Sequence, residues 1–333
     1  MKNWETVMQL VGDGESGRIE ILRGQSEDNE WVFKTKEREE AKQYPNFLEA
    51  FKSLRTVWNH VTPSFLNSLY REQVWDELTN EGLTKENLKP WAKSCLPEMF
   101  QVAEYIKASS KTVVFTGAGM STESGIPDFR SRSGWWKQVD PRTVATIEAL
   151  EQDYPLFHEF YSMRMRSLQK IKPHDGHNIL AEWEKRGLVH LVATQNVDGL
   201  HQEAGSQHVE ELHGSIKQLK CQQCEKEATT DEFLEGKPCS HCGGKLRTCV
   251  VLFGEALPQQ AWKQSFETIK EADVVIVIGT SLEVYPAGEL PFLSNGKTIL
   301  INLEEVENDF DVTITGKAKE TLQRINELLV IVE

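Results

Sequence analysis

The chain has 333 residues, 39% hydrophobic and 26% charged, with a mean hydropathy of −0.45. These values suit a soluble globular protein that can bury a sizeable core, and they exclude the disordered and fibrous classes. Its 51 acidic and 37 basic side chains leave a net charge of −14. Such a surface repels nucleic-acid phosphate and argues against specific DNA or RNA binding, while it would attract a basic tail on a substrate protein.

The residues after Met1 are Lys2, Asn3, Trp4 and Glu5, so no signal peptide is predicted. Residues 18–23 and 31–36 are extended in character, with a polar stretch 24–29 between them, and the simplest reading is a β-hairpin. From residue 45 to 92 the apolar residues recur at three- and four-residue steps. Phe47, Phe51, Leu54, Val57 and Trp58 are followed by Phe65, Leu66, Leu69 and Tyr70, then Trp75, Leu78 and Leu83. This predicts helices packed on a core. Residues 1–95 therefore read as an α+β extension, and no function is assigned to it.

A helix over 98–109 leads into a Val-rich strand over 111–116 and then a glycine turn. Further buried strands are predicted at 189–194, 274–279 and 298–302, with helices over 177–186 and 262–271 before them and a closing helix over 318–329. Strands alternating with helices predict an α/β fold, a Rossmann-type parallel sheet with helices on both faces. The longest apolar runs, such as Val274–Ile278, fall far short of the roughly 18 residues of a membrane span. No membrane partner is expected, and the expected location is cytoplasmic. No internal repeat or low-complexity linker occurs.

Four of the six cysteines form two C-x-x-C pairs, Cys221/Cys224 and Cys239/Cys242, separated by 14 residues. One pair alone could be a redox dithiol. Two knuckles, the second followed by Gly243 and Gly244 for a tight turn, predict a tetrahedral Zn2+ site in a zinc-ribbon module over about 217–248. Four thiolates close the coordination shell, so the expected role of the metal is structural. Gly117, Ala118 and Gly119, with Gly125 beyond, sit directly after the predicted strand, where missing side chains would let a phosphate approach backbone N–H groups. The spacing is not G-x-G-x-x-G, so the turn alone is weak evidence for a nucleotide.

The same stretch runs on as GAGMSTESGIPDFRS, residues 117–131, which resembles the signature of the sirtuins, the NAD-dependent protein deacylases. TQNVDGLH (194–201), LHG (212–214), the four cysteines, VVLFGE (250–255), GTS (279–281) and INLE (301–304) are similar to further motifs of that family and follow its order. The resemblance covers residues 97–332 and leaves the first 95 outside. It implies removal of acyl groups from protein lysines with NAD as co-substrate, giving nicotinamide, O-acyl-ADP-ribose and free lysine, with acylated proteins or peptides as partners. The acyl oxygen displaces nicotinamide, a ribose hydroxyl then attacks the resulting alkylimidate after a base has taken its proton, and water yields free lysine and O-acyl-ADP-ribose.

His213, in the family's H-G position, is the expected base, since an imidazole titrates near neutral pH. Asn196 and Asp198 join it as catalytic residues, Asn196 ordering the ribose and a water, Asp198 holding the nicotinamide carboxamide. The resemblance places Gly117, Ala118, Gly119, Ser121, Glu123, Gln195, Gly279, Thr280, Ser281, Asn302, Leu303, Glu304 and Ala318 around the cofactor. Asp128, Phe129 and Arg130 would belong to a loop over it, with Phe129 shielding the reactive carbon. Val250, Val251, Phe253, Gly254 and Glu255 would form an edge strand pairing with the substrate main chain. The family usually has Arg-Pro before this strand, whereas this chain has Arg247-Thr248.

Tyr161 and Arg164 form a Y-x-x-R pair. In sirtuins that prefer succinyl or malonyl groups a similar pair lines the acyl pocket, the guanidinium meeting the acyl carboxylate. The alternative is a surface pair at i, i+3. Competing functions are protein mono-ADP-ribosylation or NAD hydrolysis in a defence or stress system, and a non-enzymatic NAD-sensing module. Retention of His213 favours deacylation.

Overall fold

In a computed structural model of the protein, the described residues are 4–12, 19–26, 30–37, 40–54, 61–127 and 141–332. The chain divides into two compact units, residues 1–104 with 325–333, and residues 105–324. No helix among the described residues is long and apolar enough to cross a membrane.

The first unit is built on an antiparallel sheet. Its strands are β1 (Glu5–Gly12), β2 (Ile19–Gln25), β3 (Trp31–Glu37), β4 (Glu40–Tyr44) and β5 (Val61–Leu66), in the order β4-β3-β2-β1-β5. The expected hairpin is present as β2 and β3, paired from Ile19↔Glu37 to Gln25↔Trp31, inside a larger sheet. Residues 61–66 form a strand, not the helix that the apolar spacing predicted. A six-residue segment with its large apolar residues only at the two ends cannot distinguish the two periods, and Pro63 is tolerated because β5 lies at the sheet edge. Helices follow at Phe47–Lys52, Ser68–Asn80 and Lys85–Cys95. Phe33 of β3 packs edge-on to Phe47 and Tyr70, which stack on each other at 4.4 Å. The aromatic periodicity thus serves a core, as expected. Val57 and Trp58 lie outside the described residues.

The second unit is organised by a six-stranded, wholly parallel sheet. Its strands are β6 (Thr112–Thr116), β7 (Leu191–Thr194) and β8 (Val209–Glu211), then, beyond the β9 (Gly214–Cys221) and β10 (Leu246–Val250) ribbon, β11 (Val274–Ile278), β12 (Lys297–Asn302) and β13 (Val312–Thr315). Every residue of β6, β7 and β11 is buried, as a parallel sheet covered on both faces requires. The order β13-β12-β11-β6-β7-β8 runs outward in both directions from the β6/β11 boundary. This is the Rossmann strand order, with its switch point between β6 and β11, where such sheets bind ligands beyond the strands' carboxyl ends. The sequence signals for β8 and β13 were too short to register, at three and four residues.

Between β6 and β7 lie helices Ile147–Gln152, Tyr154–Leu168 and Asp175–Lys185. Val144, Leu150, Phe157, Phe160 and Tyr161 pack with Cys221, Phe233, Leu246, Val250 and Leu252 in one core. The antiparallel β9/β10 ribbon is thereby fastened to the helices around residue 160.

Candidate active site and zinc module

The site begins with two loops forced into contact at the switch point. Gly279, after β11, has φ +62, and a Cβ there would lie 2.4 Å from Met120 N and 2.5 Å from the Gly119 carbonyl carbon. A Cβ on Gly119 would lie 2.7 Å from Gly279 Cα, and the Gly119 N–H donates to Gly279 O at 2.8 Å. The Gly117 N–H donates to Ile278 O at 3.0 Å. This corrects the expectation that the glycines bare their N–H groups to phosphate: those of Gly117 and Gly119 are spent on β11 and its loop, and the missing side chains let backbone meet backbone. The turn continues as a 3-10 helix, Ala118–Ser124.

β7 ends beside β6 with Thr116↔Thr194 in register. The two hydroxyls meet at 2.7 Å, and Thr194 Oγ1 also accepts the Asn196 N–H at 3.0 Å. The Asn196 amide nitrogen donates to Gly117 O at 3.0 Å and Ser121 Oγ at 3.2 Å, which directs its Oδ1 the other way as an acceptor. Asp198 is 6% exposed, with Oδ2 accepting from the Ser121 hydroxyl at 2.8 Å and Oδ1 from the Leu200 N–H at 2.9 Å. Burial raises its pKa, and those bonds, with Lys217 and Arg164, oppose the rise. Gln195 reaches across to donate to Thr280 Oγ1 at 2.9 Å.

His213 stands just before β9 with Nδ1 3.1 Å from Gln195 O. Since a carbonyl only accepts, Nδ1 carries the proton and Nε2 keeps its lone pair. Burial lowers the pKa of His213, and the Gln195 carbonyl opposes this in part. The imidazole is therefore neutral near pH 7, with a fixed tautomer and one basic nitrogen.

The structure brings Gly117, Ala118, Gly119, Ser121, Gln195, Asn196, Asp198, Gly279, Thr280 and Ser281 to the carboxyl ends of β6, β7 and β11, with Asn302 ending β12 and Leu303 and Glu304 directly after it. Asn302 donates to Glu304 O at 2.9 Å, and Leu303 is 60% exposed. Glu123 accepts the Lys319 N–H at 2.7 Å, beside Ala318 at the start of helix Ala318–Val332, so its carboxylate caps that helix. Asp128, Phe129 and Arg130 lie outside the described residues.

Tyr161 and Arg164 are not a surface pair. Both are buried, and the Tyr161 hydroxyl has no hydrogen-bond partner among the described residues. Burial lowers the Arg164 pKa, with Tyr161 and Asp198 the charges that oppose it. The predicted edge strand is shorter than expected. β10 ends at Val250, the Val251 N–H donates to His213 O at 2.9 Å, and Phe253 makes only an isolated bridge to Thr146. Reasoning from sequence missed His174, whose ring joins Met120 O at 2.6 Å and accepts the Gly176 N–H at 2.9 Å. It also missed the contacts of Arg247. No spacing rule marks either residue, because His174 reaches Met120 and Arg247 reaches Gln222 only through the fold.

The four cysteine sulfurs lie within 4.8 Å of one another, with Cys221 and Cys242 at 3.4 Å and Cys224 and Cys239 at 3.7 Å. Tetrahedral Zn–S bonds of about 2.3 Å set sulfurs about 3.8 Å apart, so the cluster fits one zinc ion. The knuckles match each other: the residue after the second cysteine is left-handed in both, Glu225 at φ 57 and Gly243 at φ 75. Gly244 does not make the turn. A Cβ there would lie 3.0 Å from Cys221 Sγ.

The Sir2 family model matches residues 117–286. The NAD-dependent protein deacetylase 1 of Geobacillus kaustophilus is 48% identical over 239 residues, covering 70% of this chain and 99% of the relative. A solved Sir2 enzyme superposes with a TM-score of 0.65 at 40% identity, covering 71% of this chain and 99% of its own. A Sir2 with a p53 peptide and NAD+ gives 0.64 at 35%, covering 69% and 97%. Motif order, Rossmann topology, cysteine cluster and these likenesses agree, and the chain belongs to the Sir2 family.

Proposed function

We propose that this chain removes acyl groups from protein lysine side chains with NAD as co-substrate, releasing nicotinamide and O-acyl-ADP-ribose, and that residues 97–332 carry the activity. The observation that carries the proposal is the His213 imidazole, held through Nδ1 by Gln195 O in the loop after β7, with Nε2 left as the basic nitrogen. NAD supplies an anomeric carbon from which the acyl oxygen displaces nicotinamide. His213 Nε2 takes the proton of a ribose hydroxyl as that oxygen adds to the alkylimidate, the carbonyl on Nδ1 steadies the imidazolium that forms, and water then releases the lysine amine and leaves the acyl group on the ribose oxygen. Asn196 offers Oδ1 to the ribose and a water, and Asp198, fixed by Ser121 and Leu200, receives the carboxamide N–H. Thr280, Ser281, Asn302 and Glu304 bind the adenosine side, and residues 250–255 take the peptide main chain. The four cysteines hold a structural zinc ion.

Incubating the full chain with NAD and an acetyl-lysine peptide, followed by mass spectrometry, should give O-acetyl-ADP-ribose in equal amount to deacetylated peptide, and none with His213→Ala. Nicotinamide release without peptide, at the same rate as with it, would instead mark an NAD hydrolase or ADP-ribosyltransferase.

A buried Tyr161 and Arg164 also support an acyl pocket that accepts a carboxylate-bearing acyl group. A guanidinium there would hold a succinyl or malonyl carboxylate by charge-assisted hydrogen bonds.

A further inference from the structure

Arg247 lies in β10, between the zinc knuckle and residues 250–255, and is 3% exposed. A guanidinium has five N–H donors and no acceptor, and burying it is costly unless its donors are satisfied. Here each finds an oxygen. Nε donates to Thr248 O at 3.0 Å. One terminal nitrogen donates to Glu255 Oε1 at 2.6 Å and Gln222 Oε1 at 3.3 Å, the other to Glu255 Oε2 at 2.9 Å and Val250 O at 2.7 Å. Glu255 Oε2 accepts the Leu252 N–H at 2.8 Å as well. Burial works against the charged Glu255, but the bonds from Arg247 and Leu252 prevail and hold its pKa below the usual glutamate value.

The partners in this network follow a pattern. Gln222 lies inside the Cys221–Cys224 knuckle, whereas Val250, Leu252 and Glu255 belong to the segment assigned to the peptide. The amides of Val251 and Phe253 are turned the other way, to His213 O at 2.9 Å and Ala145 O at 2.8 Å. Alternate residues of an extended chain face opposite sides. The segment is thus held from one side by Arg247 and Glu255 and from the other by the body of the domain, although its ladder pairing ended at Val250.

We propose that Arg247 is a positioning residue for the acylated peptide: its fork, through Glu255, holds residues 250–253 and the Leu252–Glu255 turn that ends them, closed by the Glu255 N–H to Leu252 O at 2.9 Å, at a fixed offset from the zinc knuckle. This rests on the deacylase reading, in which that segment pairs with the peptide. Arg247 itself meets no substrate, so its loss should act on peptide affinity and leave the NAD side alone. A lysine keeps the charge but places its donors on one nitrogen and cannot span four acceptor groups.

The test uses Arg247→Lys and Glu255→Gln in the full chain, with zinc content and Tm measured for each. Binding of a fluorescent acetyl-lysine peptide is read by anisotropy, alongside KM values for peptide and NAD. Arg247→Lys should raise the peptide Kd and KM by about tenfold or more, as truncating a buried charged pair does. KM for NAD should change by less than about twofold, and zinc should stay at one per chain. Glu255→Gln, which keeps volume and one acceptor oxygen, should shift the peptide constants in the same direction by less. Unchanged peptide constants, or an equal rise in KM for NAD, would overturn the proposal. If Arg247→Lys does not fold, the same two constants for Glu255→Gln decide. A wild-type chain that binds no acylated peptide would remove the deacylase reading itself, whereas equal binding by wild type and variants removes only the positioning role.

Discussion

Gly279→Ala tests whether the two switch-point loops must touch. The residue has φ +62, where an L side chain costs about 1–2 kcal/mol. Its new Cβ would lie 2.4 Å from Met120 N and 2.5 Å from the Gly119 carbonyl carbon. Both are backbone atoms, so the loops must part. Parting them breaks the 2.8 Å bond from Gly119 N–H to Gly279 O, at a cost of about 1 kcal/mol more. The lower entropy of alanine in the unfolded chain returns about 0.4–1 kcal/mol. The net loss is about 1–2.5 kcal/mol, which lowers Tm by about 2–10 °C for a domain of this size. Thr280, the next residue, accepts from Gln195, so the same displacement disturbs the nucleotide cleft. Each 1.4 kcal/mol drawn from binding raises KM for NAD about tenfold. Differential scanning calorimetry and steady-state kinetics read the two effects. A variant with wild-type Tm and wild-type KM for NAD would refute the close-approach argument.

Three further outcomes are expected. Chelating the metal, or Cys221→Ser, should melt the β9/β10 ribbon and the core it shares with Phe157 and Phe233, lowering Tm and zinc content together; an unchanged Tm after complete zinc loss would exclude a structural ion. His177 and His201 are fully buried, with pKa values pushed by burial from 6.5 to about 2 and about 4. The unfolded chain takes up protons that the fold refuses, so stability is full above pH 6.5 and is lost as pH falls from there toward the folded values, at up to about 1.4 kcal/mol per pH unit for each ring. His177→Leu should flatten the fall in Tm between pH 6.5 and 4, and an unaltered slope would contradict this. Arg164→Ala should cut desuccinylation by about a hundredfold while sparing deacetylation, the cost of losing one charge-assisted contact of about 2–3 kcal/mol; equal loss of both activities would reject the carboxylate pocket.

Much of the catalytic unit was legible because its signals are local. β11 is an unbroken apolar run and β6 carries an apolar core between two buried threonines, since both faces of each strand are buried, and a run of that kind needs no partner to be recognised. The C-x-x-C pairs announce a metal because a knuckle closes within four residues. The first unit was less legible. A six-residue strand such as β5 carries too few turns to separate a period of two from one of 3.6, and β1 and β4 fell outside the recognised hairpin.

Residue types and their order were enough to establish the chemistry on offer: an imidazole, two polar side chains after a buried strand, and four thiols in one ribbon. Folding decided how each is used. The Gly117 and Gly119 amides face β11 and its loop rather than a phosphate, Tyr161 and Arg164 lie inside rather than on a helix surface, and Arg247 binds oxygens from residue 222 to residue 255. A donor's partner depends on which distant segment the chain packs against it, and that is a property of the assembled sheet and its loops.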